Sequence, residues 1–166
     1  MSIGKPVALN AGHSLDGFDC GKPALNDWLV RHARQAQASG STRTFVVTSG
    51  EQLLGYSSLT IGQVESLDAP ERTRKGTGQY PIPVVILARL AVAQTSQKLG
   101  IGVGLLKDAM QRSLLIAEQA GVRALLTHPI DEQAPSFYLR FGFEASPLQP
   151  NQLLLPLKDV KRLLAT

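Results

Sequence analysis

The sequence predicts a mixed α/β domain with a central sheet. Three observations carry that expectation. Two apolar runs of strand length, 84–92 and 122–128, lie on either side of a long helical stripe. Two β-rich runs earlier in the chain, 42–49 and 52–62, are separated by Ser49-Gly50-Glu51, a hairpin signal. Read end to end, the order is strand, helix, antiparallel strands, then strand–helix–strand–helix–strand, which folds as one layered domain over residues 1–166.

Each element has its own local reason. Residues 5–10 read as a short strand. Residues 22–38 read as a helix, because Pro23 suits a first turn and Leu25, Trp28, Leu29, Ala33 and Ala36 share one face. Gly40 stops it. A polar segment, 63–82, carries "ERTRKG" and reads as a long loop, of a length that is functional or mobile in small domains. The run "VVILARLAV" (84–92) is continuously apolar apart from Arg89, as a strand buried on both faces requires. Leu105, Leu106, Ala109, Met110, Ser113, Leu114 and Ala117 form the next helical stripe, which Gly121 ends. After the strand 122–128, residues 131–141 read as a short helix closed by Gly142. Residues 142–145 and 151–157 are the closing strands, and 158–166 form a terminal helix or tail.

Composition narrows the function classes. With 43% hydrophobic residues the chain has enough apolar surface for a core. No apolar run approaches the roughly 20 residues of a membrane span. The opening "MSIGKPVALN" lacks a signal core, and one cysteine, Cys20, cannot form an intrachain disulfide. These point to a cytoplasmic protein. A net charge of +4 favours a polyanionic partner, while 5% aromatic content argues against a base-stacking platform for single strands.

The stretch "SQKLGIGVGLL" (96–106) sets three glycines at alternate positions between a strand and a helix. A helix start offers unpaired N–H groups and partial positive charge, and glycine lets a phosphate approach without a Cβ in the way. A Walker A reading fails, since no Lys-Ser or Lys-Thr follows in place. The dinucleotide reading is weak, because the spacing is G-x-G-x-G and too little chain remains for a second nucleotide half. A tight strand–helix turn without ligand is the plain alternative.

Gln97-Lys98-Leu99-Gly100-Ile101-Gly102 resembles the Q/R-x-x-G-x-G/A signature of the GCN5-related N-acetyltransferases (GNAT). Leu90-Ala91-Val92 looks like that family's splayed strand. The run 136–143, "SFYLRFGF", is similar to its F-Y-x-x-F-G-F element. Over nearly the whole chain the sequence resembles the acetyltransferase toxins of bacterial toxin–antitoxin pairs, through "LDGFDCGKPALNDWLVRHARQAQASGSTRTFVV", "ARLAV" and "FEASPLQPNQLLLPLKDV". The resemblance implies the GNAT fold, an α/β (α+β) domain whose central mixed, mostly antiparallel sheet is flanked by helices, with acetyl-coenzyme A as cosubstrate and no metal. It implies acetylation of the α-amino group of aminoacyl-tRNA, a ribbon-helix-helix antitoxin as partner, and a homodimer. Cofactor contacts are then expected from Leu90, Ala91, Val92, Gln97, Lys98, Leu99, Gly100, Ile101, Gly102, Val103, Gly104, Leu105, Phe137 and Phe141. Two departures stand out. Leu99 replaces an arginine common in the family, removing one cationic contact to phosphate. Pro135 lies within the last short helix and delays its start unless it falls in the first turn.

Transfer of acetyl to an amine needs a neutral amine, a polarised thioester carbonyl and a protonated leaving thiolate. Tyr138 matches the family's tyrosine beside the sulfur, and its reference pKa of ~10 lies above a thiol's ~8.5, so it suits the acid. Strand 84–92 carries no carboxylate. A lysine amine, at ~10.4, needs help to lose its proton, whereas an α-amine at ~7.7–8.0 needs little, so the absence favours an α-amine. Arg31, Arg34, Arg43, Arg72, Arg74, Lys75 and Arg89 are candidate tRNA contacts, and Arg89 stands apart because a charge in so apolar a strand must find solvent, an anion or a partner. His13, His32 and His128 lack metal-ligand spacing, Cys20 reads as a packed thiol and Trp28 as core. The alternatives are an acetyltransferase for a small amine or protein N-terminus, and a coenzyme A- or partner-binding module without turnover.

Overall fold

Seven strands lie in one sheet in the order β1-β2-β3-β4-β5-β7-β6, in a computed structural model that describes residues 2–78, 80–131 and 134–165. The strands are β1 (Val7–Ala8), β2 (Arg43–Ser49), β3 (Gln52–Val64), β4 (Ile82–Val92), β5 (Ala124–Thr127), β6 (Glu144–Ala145) and β7 (Leu153–Pro156). The helices are α1 (Pro23–Arg31), α2 (Ala33–Ser39), α3 (Glu71–Arg74), α4 (Ile101–Gln119), α5 (Ala134–Leu139) and α6 (Leu157–Leu164). The pairs β1–β2, β2–β3, β5–β7 and β6–β7 are antiparallel, and β4–β5 is parallel.

The chain packs as two compact units. The first comprises Met1–Thr60 and Ala88–Ala109. Successive side chains of a strand face opposite ways, and here they feed two apolar clusters. Val46, Leu53, Tyr56 and Ala91 join Leu9, Phe18, Leu29 and Ala33 in one. Val47 and Leu54 join Ile101 and Leu105 in the other, with Leu90 and Val92 packed against it. Gly55 is needed where these strands close up: a Cβ there would stand 2.9 Å from the Ala91 carbonyl oxygen and 3.1 Å from Ile101.

The second unit comprises Ile61–Leu87 and Met110–Thr166. Val64, Ile82, Val84, Ala124, Leu126 and Leu154 form its core. The β4–β5 ladder covers four residue pairs, Val84↔Ala124 to Leu87↔Thr127, and stops there. Pro129 follows two residues later and has no N–H to extend it.

Several boundaries differ from the sequence reading. The single helix over 22–38 is two, because His32 takes φ −125°. Its N–H still bonds the Trp28 carbonyl and its own carbonyl accepts from Ala36, so the two helices share one residue. The first strand shrinks to two residues, although Gly4 and Leu9 also bond to β2. Segment 63–82, read as a loop, is largely structured. β3 runs on to Val64, a 3-10 turn follows at Ser66–Asp68, and then α3. Buried Ala69 and Thr73 fasten it. So does Arg72, which pairs with Asp159 and, at 3.5 Å, with Glu144. Pro135 falls in the first turn of α5, where a missing N–H costs nothing. Of the stretch 131–141, Glu132 and Gln133 lie outside the described residues, as does Gln79 in 63–82. The chain's end is helical, as α6, to Leu164.

Replacing Gly55 with valine should cost about 1–3 kcal/mol of stability through overpacking. Urea denaturation of the variant beside wild type measures it, and equal midpoints would contradict the close approach.

Candidate active site

β4 runs five residues beyond its last β5 partner, and the chain then turns into α4. Ala93 N–H bonds the Leu54 carbonyl at 2.8 Å, and the Gln97 amide nitrogen donates to the Val92 carbonyl at 3.2 Å, tying the turn back to the strand end. Within the turn Lys98 has φ +71° and Gly100 φ +82°. A left-handed lysine costs of order 1 kcal/mol, so the shape of this turn is held against a local preference. The first bond of α4 joins Gly104 N–H to the Gly100 carbonyl at 3.0 Å. The N–H groups of Ile101, Gly102 and Val103 therefore precede any intrahelical acceptor. A Cβ placed on Gly100 or Gly104 would meet open space. Gln97, Lys98, Leu99 and Gly100 are all exposed, while Ile101 and Leu105 turn into the core. These residues fit an anionic group at the helix start, and Lys98 is the cation among them.

Tyr138 lies in the second unit, on α5, 6% exposed. Its ring meets Phe137 and Phe143 edge-on at 5.1 and 5.4 Å, and Phe137 meets Phe141 at 5.6 Å. Phe137 and Phe141 thus brace the tyrosine's own helix. Burial pushes the Tyr138 phenol up, against the pull of a hydrogen bond with the Thr127 side chain. The Thr127 hydroxyl donates to the Leu87 carbonyl at 3.0 Å. While it does so it has only a lone pair to offer the phenol, and the downward pull on the pKa acts when the hydroxyl turns to donate to the phenolate.

Among the basic candidates, Arg89 is held against a ring. Its guanidinium lies 3.7 Å over Trp28, which stacks on Tyr56. Desolvation lowers the Arg89 pKa. Arg34 donates to the His13 carbonyl and Arg43 to the Gln37 carbonyl at 3.0 Å. Arg31, Arg74 and Lys75 are exposed, and the charge of Arg72 is met by the two carboxylates named above. Unit one therefore carries Arg31, Arg34, Arg43, Arg89 and residues 90–105. Unit two carries Tyr138, Phe137, Phe141, Arg72, Arg74 and Lys75.

The model of the acetyltransferase (GNAT) domain matches residues 40–145. This chain belongs to the GNAT acetyltransferase family. Among its relatives, a tRNA-acetylating toxin of Mycobacterium tuberculosis is 36% identical over 159 residues, 96% of this chain and 95% of that protein. A structure of AtaT complexed with acetyl-methionyl-tRNAfMet superposes with a TM-score of 0.89 at 28% identity, covering 98% and 99% of the two chains. One of a tyrosine-to-phenylalanine mutant of the AtaT toxin, bound to the C-terminus of the antitoxin AtaR and acetyl-CoA, gives 0.84 at 26%, covering both chains fully.

Two residues of this acetyltransferase escaped the sequence reading. Thr127 drew no notice beside His128, which is exposed and shares a hydrogen bond with Gln152 at 3.0 Å. The signal was a threonine ending a buried strand two residues before a proline. Trp28 packs on the core, as its helical spacing suggested, but also carries Arg89. Among the described residues no group of three or more His, Cys, Asp or Glu side chains is arranged to hold a metal. No described helix is long and apolar enough to cross a membrane.

The raised Tyr138 pKa means that the phenol stays protonated to higher pH than the ordinary 10.0. Subtracting the ultraviolet titration of Tyr138→Phe from that of wild type should leave phenolate absorbance that rises only above pH 10. A midpoint below that value would contradict the buried acid.

Proposed function

We propose that this acetyltransferase is a toxin that uses acetyl-coenzyme A to acetylate the α-amino group of aminoacyl-tRNA, removing the nucleophile needed for peptide transfer. The observation that carries the reading is the whole-length likeness to a protein named a tRNA-acetylating toxin and to AtaT bearing acetyl-methionyl-tRNA. The run of β4 past its β5 ladder into a glycine turn and helix start supports the cosubstrate.

Acetyl-coenzyme A, when bound, supplies the acetyl group as a thioester. The backbone of Leu90, Ala91 and Val92 holds its pantetheine arm, and Gln97 to Leu105 hold its pyrophosphate at the α4 N-terminus, where N–H groups and helix dipole favour negative charge. β4 provides no carboxylate to deprotonate a lysine, and the less basic α-amine is substantially neutral without one. The amine attacks the thioester carbonyl and sheds a proton to solvent, the carbon–sulfur bond breaks, and Tyr138 gives its proton to the departing sulfur, to be reprotonated from solvent after release. Thr127 then turns its hydroxyl from the Leu87 carbonyl to the phenolate, so the tyrosine keeps a partner in either protonation state. Basic side chains on both units, chiefly Arg31, Arg34, Arg43, Arg74 and Lys75, meet tRNA phosphates, making binding salt-sensitive. A ribbon-helix-helix antitoxin, a homodimer and a cytoplasmic site of action complete this reading. Light scattering during gel filtration, alone and with the antitoxin, tests the assembly.

Labelled acetyl-coenzyme A should transfer label to charged tRNA and none to the same tRNA after deacylation. Tyr138→Phe should reduce that rate on the order of 100-fold or more while binding acetyl-coenzyme A normally. Label in neither pool would overturn the tRNA substrate, and wild-type turnover in the variant would overturn the acid. Gly102→Glu should weaken acetyl-coenzyme A at least tenfold by calorimetry, because a carboxylate would face the pyrophosphate; unchanged affinity would refute the cradle.

A further inference from the structure

Arg89 is half-buried in an apolar strand, and among the described residues no carboxylate pairs with it. Two ring contacts join it to a buried tyrosine. Tyr56 is fully buried, its hydroxyl donating to the Leu25 carbonyl at 2.7 Å. Trp28 lies on it, 6.2 Å away with planes 10° apart. The Arg89 guanidinium covers the Trp28 ring at 3.7 Å. Fixing an arginine this way removes its rotamer freedom before a ligand arrives, so less entropy is lost on binding. Its N–H edge and its second face are not used by Trp28.

The same arginine lines a cavity of about 330 Å³, together with Trp28, Gln35, Ser39, Ser41 and Thr42. That volume is at the small end of ligand sites. The lining is rich in hydroxyl and amide groups suited to ribose hydroxyls and a base edge. Desolvation destabilises the Arg89 charge, a cost that an anion would relieve. On β4, Arg89 directly precedes residues 90–92, within about 3.3 Å of rise per residue of the backbone assigned above to the acetyl donor.

We propose that this recess is the subsite for the 3′-terminal nucleotide of the acceptor RNA. Its phosphate takes the edge of Arg89. Its base lies on the guanidinium face opposite Trp28, as arginine planes stack on bases in RNA recognition. Gln35, Ser39, Ser41 and Thr42 contact its sugar and base edge. The subsite rests on the tRNA reading, and it separates terminal-nucleotide recognition from general attraction to phosphates by the other basic residues.

The test uses an uncharged RNA minihelix ending in CCA and the same minihelix lacking its terminal adenosine. Wild type should bind the complete RNA about tenfold more tightly. Arg89→Gln should abolish that difference while retaining the weaker, salt-sensitive binding shared by both RNAs. Gln35→Glu, on the exposed face of α2 and without consequence for packing, should reduce the preference by placing a carboxylate in the recess. In steady state, Arg89→Lys should raise KM for the aminoacylated minihelix about tenfold and leave KM for acetyl-coenzyme A unchanged, since a lysine keeps the charge but not the plane or fork. Equal affinity of wild type for the two RNAs, or equal loss from both in Arg89→Gln, would overturn the subsite. Those binding results stand whether or not the aminoacylated RNA is acetylated, so failure of the tRNA reading and failure of the subsite are seen separately.

Discussion

A backbone group removed from water must find a partner, and the end of the β4–β5 ladder at Leu87 and Thr127 is where this fold stops supplying one from β5. The end has a local chemical cause. Thr127 closes the ladder with its side chain, donating to the Leu87 carbonyl, and the proline two residues on cannot prolong it. Everything assigned to the acetyl donor follows along the chain from this point: the last five residues of β4, the turn through Lys98 and Gly100, and the opening of α4. Because Thr127 also meets Tyr138, the residue that ends the sheet pairing also contacts the proposed acid.

Much of this was legible in the residues. The apolar run of β4, the stripe of α4 and the glycines between them are strong local signals, each decided by short-range sterics. The two-helix break at His32 was not legible, since neither glycine nor proline marks it and the apolar face runs through unbroken. Segment 63–82 misled for a related reason. Its polar residues looked like a loop, but the contacts that order it are distant in sequence: Arg72 with Asp159, and the Arg123 guanidinium with the Lys75 carbonyl at 2.9 Å. Arg72 also shows why a basic residue cannot be read as a nucleic-acid contact from type alone. Thr127 was invisible as a partner of Tyr138, because that pairing joins β5 to α5.

Tyr138 and Arg89 owe their state to opposite uses of burial. Tyr138 is buried beside two aromatic rings, and that burial disfavours the phenolate and keeps the phenol protonated. Arg89 is also desolvated, but its charge is retained over an aromatic face. One environment stores a proton and the other presents a cation.

The stack beneath Arg89 has an optical consequence. Trp28 is the chain's one tryptophan, so the red-edge ultraviolet emission of the protein arises from a single ring. That ring touches both a phenol and a guanidinium. The protein thus carries a built-in fluorophore at one defined spot, and its emission follows that spot without any attached dye.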